Sequence, residues 1–365
     1  MPNVLCRISA VALIALAAPS LAAQVVPRYE LHHDATFSVG MSLRGGNDPP
    51  ICDNAGNIYT RFGPGGPGAF KVPVVKISPD GEQKGRFSIE NVPGWEEGEF
   101  AEYTVGPDGT VHVVAAKLNR RERKVDYAII TFSGDGRHRF TMPFEVPDLI
   151  TDRVVAFSTG EVLLIGTTRP PRPASRENQE SKGEPAQAER PAPVMVEPRL
   201  LILNRAGEVA HEIKLAGEPS SEGEQQPLRV PRGSFSRAAV AGDDGHVYLL
   251  VRGADPTILV LSSYGEAVRT LNIQAPEPGH DLLRIHFASG TGLIAQFAKR
   301  TSERSWDSGN AIYSVVSPTT GERFYDFQSA METKAGGSFG CYTPRGFHFL
   351  AGEDGQLVIH RAAPR

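Results

Sequence analysis

Cysteine and the common metal-binding motifs are scarce in this sequence. Three cysteines occur among 365 residues, and neither a paired CxxC motif nor an HExxH motif is present, so the usual zinc sites are excluded. The glycine-rich segment 62–70 lacks the Lys-Ser/Thr pair of a phosphate-binding loop, which argues against nucleotide binding. We therefore expect no resident metal and no cofactor.

The two signs of charge nearly balance, and after the N-terminus no stretch reaches membrane-spanning length. Lys and Arg number 38 and Asp and Glu 42, a net charge of −4, which argues against nucleic-acid binding by bulk electrostatics. Glycine (38) and proline (29) are abundant instead, a composition that favours many turns and short strands over long helices. We expect no nucleic-acid partner, no membrane span and a monomer.

The first residues have the layout of a secretory signal peptide. In segment 1–23, Arg7 precedes an apolar stretch over 8–18, and small residues follow at its end. The stretch is short for a membrane anchor, and Pro19 interrupts it. We therefore predict cleavage after segment 1–23, a single mature domain over 24–365, and export to the periplasm or the medium.

A unit of about fifty residues recurs six times along the chain. Each copy has a β-rich segment, a tight glycine turn and a second apolar segment, as in DNAGNIYT (53–60) and GPDGTVHVV (106–114). A second hairpin follows most copies, as in VVKISPDG (74–81) and AIITFSGDG (128–136). The turn glycines are Gly56, Gly109, Gly160, Gly245, Gly292 and Gly346. Two hairpins per unit are typical of a β-propeller blade.

These units resemble the six-bladed β-propellers of the NHL-like and TolB-like groups, of the secreted bacterial type, over essentially all of the mature chain. The last unit contains only three strands before the chain ends, and segment 30–40 can supply the fourth. We therefore expect an all-β fold, a six-bladed propeller whose closing blade is shared between N- and C-terminal strands. The resemblance says little about function, since propellers host lyases, lactonases, scaffolds and ligand sensors.

The third unit contains a long insertion over 169–199. It holds seven prolines and shows no apolar periodicity, so we predict a disordered loop. In a propeller this loop lies on the top face, with the connections between blades, while the turn glycines lie on the bottom face. It is either a tolerated insertion or a flexible partner-binding segment.

Charged residues recur at the start of the predicted innermost strands, eight or seven positions before the turn glycine. Two interpretations stay open: the arginines bind an anionic small molecule, or the acids and arginines form a structural network. His286, two residues after Arg284, is a candidate base or ligand on the same face. His112, His246 and His348 follow turn glycines, and we interpret them as structural. The candidate ligand-binding residues are Glu102, Asp152, Arg153, Arg237, Arg284 and His286.

Cys52 and Cys341 fall in the innermost strands of the first and last units. A closed ring makes these units neighbours, so a disulfide could join them, although a one-residue offset could also place them on different faces. Paired and reduced cysteines both remain open.

The function indicated is that of an exported binding or scaffolding module, with an anionic small molecule or a protein partner on the top face. The alternative is a metal-dependent enzyme resembling the lactonases or lyases built on this fold. Its ligands would be Asp48, Glu102, Asp152 and His286. Three neighbouring arginines would repel a divalent metal, which counts against that alternative.

Overall fold

The computed structural model describes a chain built almost entirely from β-strands. The described residues are 26–42, 50–61, 69–119, 121–122, 124–146, 149–168, 198–214, 218–219, 225–226, 238–251, 256–288, 290–302, 305–329 and 338–364. The predicted signal peptide, most of the 169–199 insertion, Asp48 and Arg237 lie outside these residues. Within them, no helix is long and apolar enough to cross a membrane.

The strands follow one another with short turns, and two 3-10 segments occur at Ala69–Lys71 and Ile89–Asn91. The strands of the first half are β1 (Arg28–Ser42), β2 (Ile51–Cys52), β3 (Ile58–Thr60), β4 (Val74–Ile77), β5 (Gln83–Phe87), β6 (Glu99–Val105), β7 (Val111–Asn119), β8 (Lys124–Phe132), β9 (His138–Phe144), β10 (Leu149–Ala156), β11 (Val162–Thr168), β12 (Pro198–Leu203) and β13 (Val209–Ile213). Those of the second half are β14 (Glu218–Pro219), β15 (Gln225–Gln226), β16 (Ala239–Ala241), β17 (Val247–Val251), β18 (Thr257–Leu261), β19 (Ala267–Asn272), β20 (His280–Ala288), β21 (Gly292–Ser302), β22 (Ser305–Val316), β23 (Arg323–Ser329), β24 (Ser338–Thr343), β25 (Gly346–Glu353) and β26 (Gln356–Pro364).

All six turn glycines of the repeat lie in or beside the first hairpin of a unit, as predicted. Gly109, for example, lies between β6 and β7 with a φ of 80°, a backbone conformation that glycine adopts without steric cost. Its amide donates to the carbonyl of Gly106 and closes the turn. The repeated glycines therefore lie where the chain reverses between the first and second strands of each unit.

Four units form separate four-stranded antiparallel sheets in chain order: β2–β5, β6–β9, β10–β13 and β16–β19. The fifth and sixth units share one eight-stranded sheet of order β20-β21-β22-β23-β1-β26-β25-β24. The expected six separate blades are thus not what the described residues form. The arrangement is all-β and propeller-like, with four separate blades, one wide sheet and a two-stranded sheet of β14 and β15.

Strand β1 causes this fusion, because it pairs on both of its edges. On one side it runs antiparallel to β26, with Phe37 opposite Ile359, which is the pairing predicted for segment 30–40. On the other side its first residues run parallel to β23, with Arg28 opposite Asp326 and Leu31 opposite Ser329. This second pairing covers an edge that would otherwise be open, and the sequence pattern does not reveal it.

The first strands of the units contact one another in a closed ring. Strand β6 contacts β2 and β10, β16 contacts β10 and β20, and β24 contacts β20 and β2. Apolar clusters fill the spaces between neighbouring sheets, such as the packing of Val114 and Ile129 against Val154 and Leu201. The core therefore consists of layers between sheets arranged around a central channel.

A disulfide joins Cys52 in β2 to Cys341 in β24, with Cα atoms 5.5 Å apart. The two strands are neighbours in the ring, so the bond links the first sheet to the last hairpin. The one-residue offset in sequence does not separate the two side chains, because the turn between β24 and β25 is shorter than the turn between β2 and β3.

Candidate functional site

Three of the predicted site residues occupy equivalent places in three first strands. A register shift precedes Glu102 in β6, Arg153 in β10 and Arg284 in β20. Each shift is a local bulge with one extra residue, a device that re-aims the side chains around it. In β10 the extra residue is Asp152, which explains why Asp152 and Arg153 do not serve the same role.

The structure corrects the sequence alignment of these strands by one position. In the sequence, Arg284 and Asp152 each stand eight positions before a turn glycine, but the residue that is structurally equivalent to Arg284 is Arg153. Gly292 is the first residue of β21, while Gly160 precedes the start of β11 by two residues. The three side chains also lie midway along their strands instead of at the strand entries, because β6, β10 and β20 each begin about three residues earlier than predicted.

Glu102 and Arg153 form an ion pair between β6 and β10. The Nη1 atom of Arg153 donates to the Oε1 atom of Glu102 at 3.0 Å, and the two side chains are only 9% and 15% exposed. The same carboxylate oxygen accepts a hydrogen bond from the backbone amide of Tyr103 at 3.0 Å. The guanidinium of Arg153 is therefore held in place by a positioned carboxylate.

Arg284 is partly buried beside this pair and forms no ion pair with any described residue. Burial lowers the pKa of its guanidinium, and the nearby positive charge of Arg153 lowers it further, while Tyr313 acts in the opposite direction. A second guanidinium close to the first raises the electrostatic cost of both unless an anion lies between or beside them.

A row of polar side chains extends outward from Arg284 across its sheet. Arg284 lies opposite Gln296 in β21, and Gln296 lies opposite Tyr313 in β22. Gln296 is only 5% exposed, and its Oε1 atom accepts no hydrogen bond within the described part of the chain. Burial raises the pKa of the Tyr313 hydroxyl, so it stays protonated.

The corresponding positions in the second and third units are apolar. Opposite Glu102 lie Val114 and then Ile129; opposite Arg153 lie Ile165 and then Leu200. An apolar pair fills this place at no desolvation cost, whereas a buried amide oxygen without a partner costs roughly 1–3 kcal/mol. The polar row beside Arg284 therefore has no counterpart in these two units.

His286 faces the channel from β20 and packs edge-on against Phe339, with ring centroids 4.5 Å apart. It lines a cavity of about 40 Å³ with Thr104, Arg153 and Ala239, residues of three further first strands. A space of this size accommodates a few waters or one small ionic group. Within the described residues, no three His, Cys, Asp or Glu side chains are placed to hold a metal ion.

Ser338 lies in the segment GGSFG (336–340), which fits the GxSxG pattern of α/β-hydrolases. Ser338 is the first residue of β24 and lies opposite Leu350 in β25. A nucleophile elbow requires a strand that turns sharply into a helix, whereas β24 continues through a hairpin into β25. The pattern match is therefore incidental.

A much larger cavity, of about 720 Å³, lies at the turn-glycine end of the molecule. It opens between the second and third sheets, and His112, Arg139 and Arg205 are among its lining residues. Sequence reasoning favoured the opposite face and interpreted His112 as structural. No local pattern points to this cavity, because its lining residues come from several units: Asn54 of the first unit and Asp243 of the fourth join residues of the second and third.

Comparisons with known proteins show no close relative. No protein-family model matches the chain, and no curated protein matches it. A protein of unknown function from Bacteroides caccae is 13% identical, covering 79% of this chain and 83% of its own, with a TM-score of 0.43. The GH43_1 enzyme from Xanthomonas citri complexed with xylotriose is 14% identical, covering 72% and 84%, with a TM-score of 0.38. Likenesses this distant carry no argument about activity.

Proposed function

We propose that this protein is an exported β-propeller that binds a small anionic molecule in its central channel, at Arg153 and Arg284. The observation that carries the proposal is Arg284, a partly buried guanidinium with no ion pair among the described residues, next to a second guanidinium. Arg237, which lies outside the described residues, is proposed as a third cation of the same site.

The roles of the side chains follow from their contacts. Glu102 orients Arg153 through the 3.0 Å ion pair, and Arg284 supplies the uncompensated charge. A guanidinium presents a planar fork of donors that matches a carboxylate or phosphate group. The buried Oε1 atom of Gln296 offers an acceptor beside Arg284. The preferred ligand is therefore an anion that also carries a hydrogen-bond donor, such as a hydroxyl group.

The proposal includes the closing arrangement of the propeller. We interpret the eight-stranded sheet as two joined blades, β20–β23 and β24–β26 with β1, which gives six blades of the NHL-like or TolB-like kind. The closed ring of six first strands supports this count. Export is supported by the cysteine pair Cys52–Cys341, since disulfides persist in oxidising compartments.

The metal-dependent lactonase- or lyase-like alternative needs carboxylate, amide or imidazole ligands that converge on the channel. Among the described residues, Glu102 is already bound to Arg153, and Arg284 adds a second positive charge beside Arg153, which counts against a metal ion there. Deletion of segment 169–199 tests its role as a partner-binding segment. If the anion binds in the channel, this deletion should leave anion binding unchanged.

The test is isothermal titration of the purified protein with inorganic phosphate and with malate, which adds a hydroxyl group to a dicarboxylate. At least one of them should bind once per chain, and Arg284→Gln should weaken that binding at least tenfold. Arg300→Gln is the matched control, because Arg300 is exposed on the adjacent strand and pairs with Asp281. Failure of both anions to bind, or equal binding by the two variants, would overturn the proposal.

A further inference from the structure

The large cavity between the second and third sheets has apolar walls. The core between these sheets is closed where Val114 and Val154 pack, but towards the turn glycines the packing opens into a crevice of about 720 Å³. Ile129, Met142 and Val162 form its inner walls. Phe140 stands at its opening with 49% of its surface exposed. Ligand sites of small molecules are commonly about 300–1,000 Å³ and mostly apolar.

The polar floor of the crevice is a histidine–threonine pair. His112 Nδ1 and Thr131 Oγ1 are hydrogen-bonded at 3.0 Å. Burial lowers the pKa of His112 to about 4, although the charge of Asp108 acts in the opposite direction. The imidazole is therefore neutral near pH 7, so the floor carries no cation for an anionic group to pair with.

The charged side chains around the opening differ in the hydrogen bonds that they already form. Asp108 accepts hydrogen bonds from the amide and hydroxyl of Thr110, at 2.9 and 2.7 Å. Arg205 donates from Nε to the carbonyl of Thr159 at 2.8 Å. Arg139 is exposed in β9 and forms no ion pair or side-chain hydrogen bond with the residues that the structure describes. Asp243 also lines the opening, and its Oδ1 atom accepts a hydrogen bond from the Nδ2 atom of Asn54 at 2.8 Å. Of these charged side chains, that of Arg139 is the one left to pair with a ligand.

The geometry points to a second binding site, for a small apolar carboxylic acid. The carboxylate pairs with Arg139 at the opening, and the apolar body lies between Met142 and Val162 above the neutral His112. Among the described charged residues that line the crevice, Arg139 makes no ion pair and no side-chain hydrogen bond, which favours a ligand that carries an anionic group. This site is separate from the channel and does not depend on Arg284.

Titration calorimetry with decanoate and with the uncharged analogue 1-decanol tests the inference. One decanoate should bind per chain, and Arg139→Gln should weaken decanoate binding at least tenfold while changing decanol binding less than twofold. Arg137→Gln is the matched control, because Arg137 is exposed near the same strand and contacts Asp135 outside the crevice.

A second pair of variants tests the location. Ser158 is exposed and lines the crevice, whereas its exposed neighbour Thr159 does not. Ser158→Trp should abolish decanoate binding, and Thr159→Trp and Arg284→Gln should leave it within twofold. The inference is overturned if decanoate does not bind, if Arg139→Gln binds it as well as Arg137→Gln, or if the two tryptophan variants behave alike.

Discussion

The Nη1 atom of Arg153 lies 3.0 Å from the Oε1 atom of Glu102, and this contact joins two neighbouring sheets within the wall of the channel. Both residues follow a bulge in their strands. The ion pair fixes the orientation of the Arg153 guanidinium. The neighbouring guanidinium of Arg284 forms no such pair among the described residues and is therefore the one that we expect to bind a ligand.

Removing the carboxylate of this pair should be strongly destabilising. In Glu102→Gln, Arg153 is left as a buried charge without its partner, which costs about 3–5 kcal/mol. Urea unfolding should show this loss of unfolding free energy. Glu212→Gln, which breaks the exposed pair with Arg199 at 2.9 Å, should cost less than about 1 kcal/mol. Equal losses in the two variants would contradict the prediction.

Loss of the disulfide should destabilise the fold through the unfolded state. The bond spans 289 positions of sequence, and in the chain-entropy account a loop this long is worth about 5–6 kcal/mol. We expect Cys52→Ser to lower the unfolding free energy by about 5 kcal/mol. Peptide mapping without reductant should recover the Cys52–Cys341 cross-link. An unfolding midpoint that does not move when the wild-type protein is reduced would rule this out.

Acidification should destabilise the protein well before its carboxylates protonate. Burial lowers the pKa of both His112 and His348 to about 4, below the value of about 6.5 in an unfolded chain. The unfolded state therefore binds more protons between pH 6.5 and 4, and stability falls as the pH falls through this window. Each histidine contributes a slope of up to about 1.4 kcal/mol per pH unit.

Unfolding by urea at several values between pH 6.5 and 5 measures this slope, since most carboxylates stay ionised there. His112→Gln and His348→Gln should each reduce it. His211→Gln, at an exposed position of β13, should leave it unchanged. The same slope in all three variants would show that other groups govern the acid response.

The buried amide of Gln296 should cost stability in the absence of ligand. Gln296→Met removes the Oε1 atom that lacks a hydrogen-bond donor, so we expect the unfolding free energy to rise by about 1 kcal/mol. Gln83→Met, at an exposed place in β5, should change it by less than about 0.5 kcal/mol. A lower stability of Gln296→Met would mean that this amide supports the fold.

Much of the architecture could be predicted because it depends on local chemistry. Turn glycines such as Gly109 and Gly160 require a positive φ, and their regular spacing reveals the units. The parallel pairing of Arg28 with Asp326 could not be predicted, because it joins distant strands at their edges and leaves no period in the sequence.

Part of the candidate site could also be predicted, because some of its residues keep a regular spacing in the sequence. Glu102, Arg153 and Arg284 could be identified because they keep a nearly constant distance from a glycine, but turn length shifted the alignment of Arg284 by one residue. The partnership of Arg284 with Gln296 depends on strand register. The crevice at His112 and Arg139 depends on how two sheets pack, and neither relationship leaves a motif.

The position of β1 has a consequence for how the molecule is made. Its partners β23 and β26 come much later in the chain. Strand β1 therefore stays unpaired during synthesis until these two strands have been made. A ribosome that stops early, or a protease that removes the final hairpin, leaves β1 without an antiparallel partner and the ring open. Closure of the ring thus requires β26, and copies that lack it present unpaired strand edges, which are prone to aggregation.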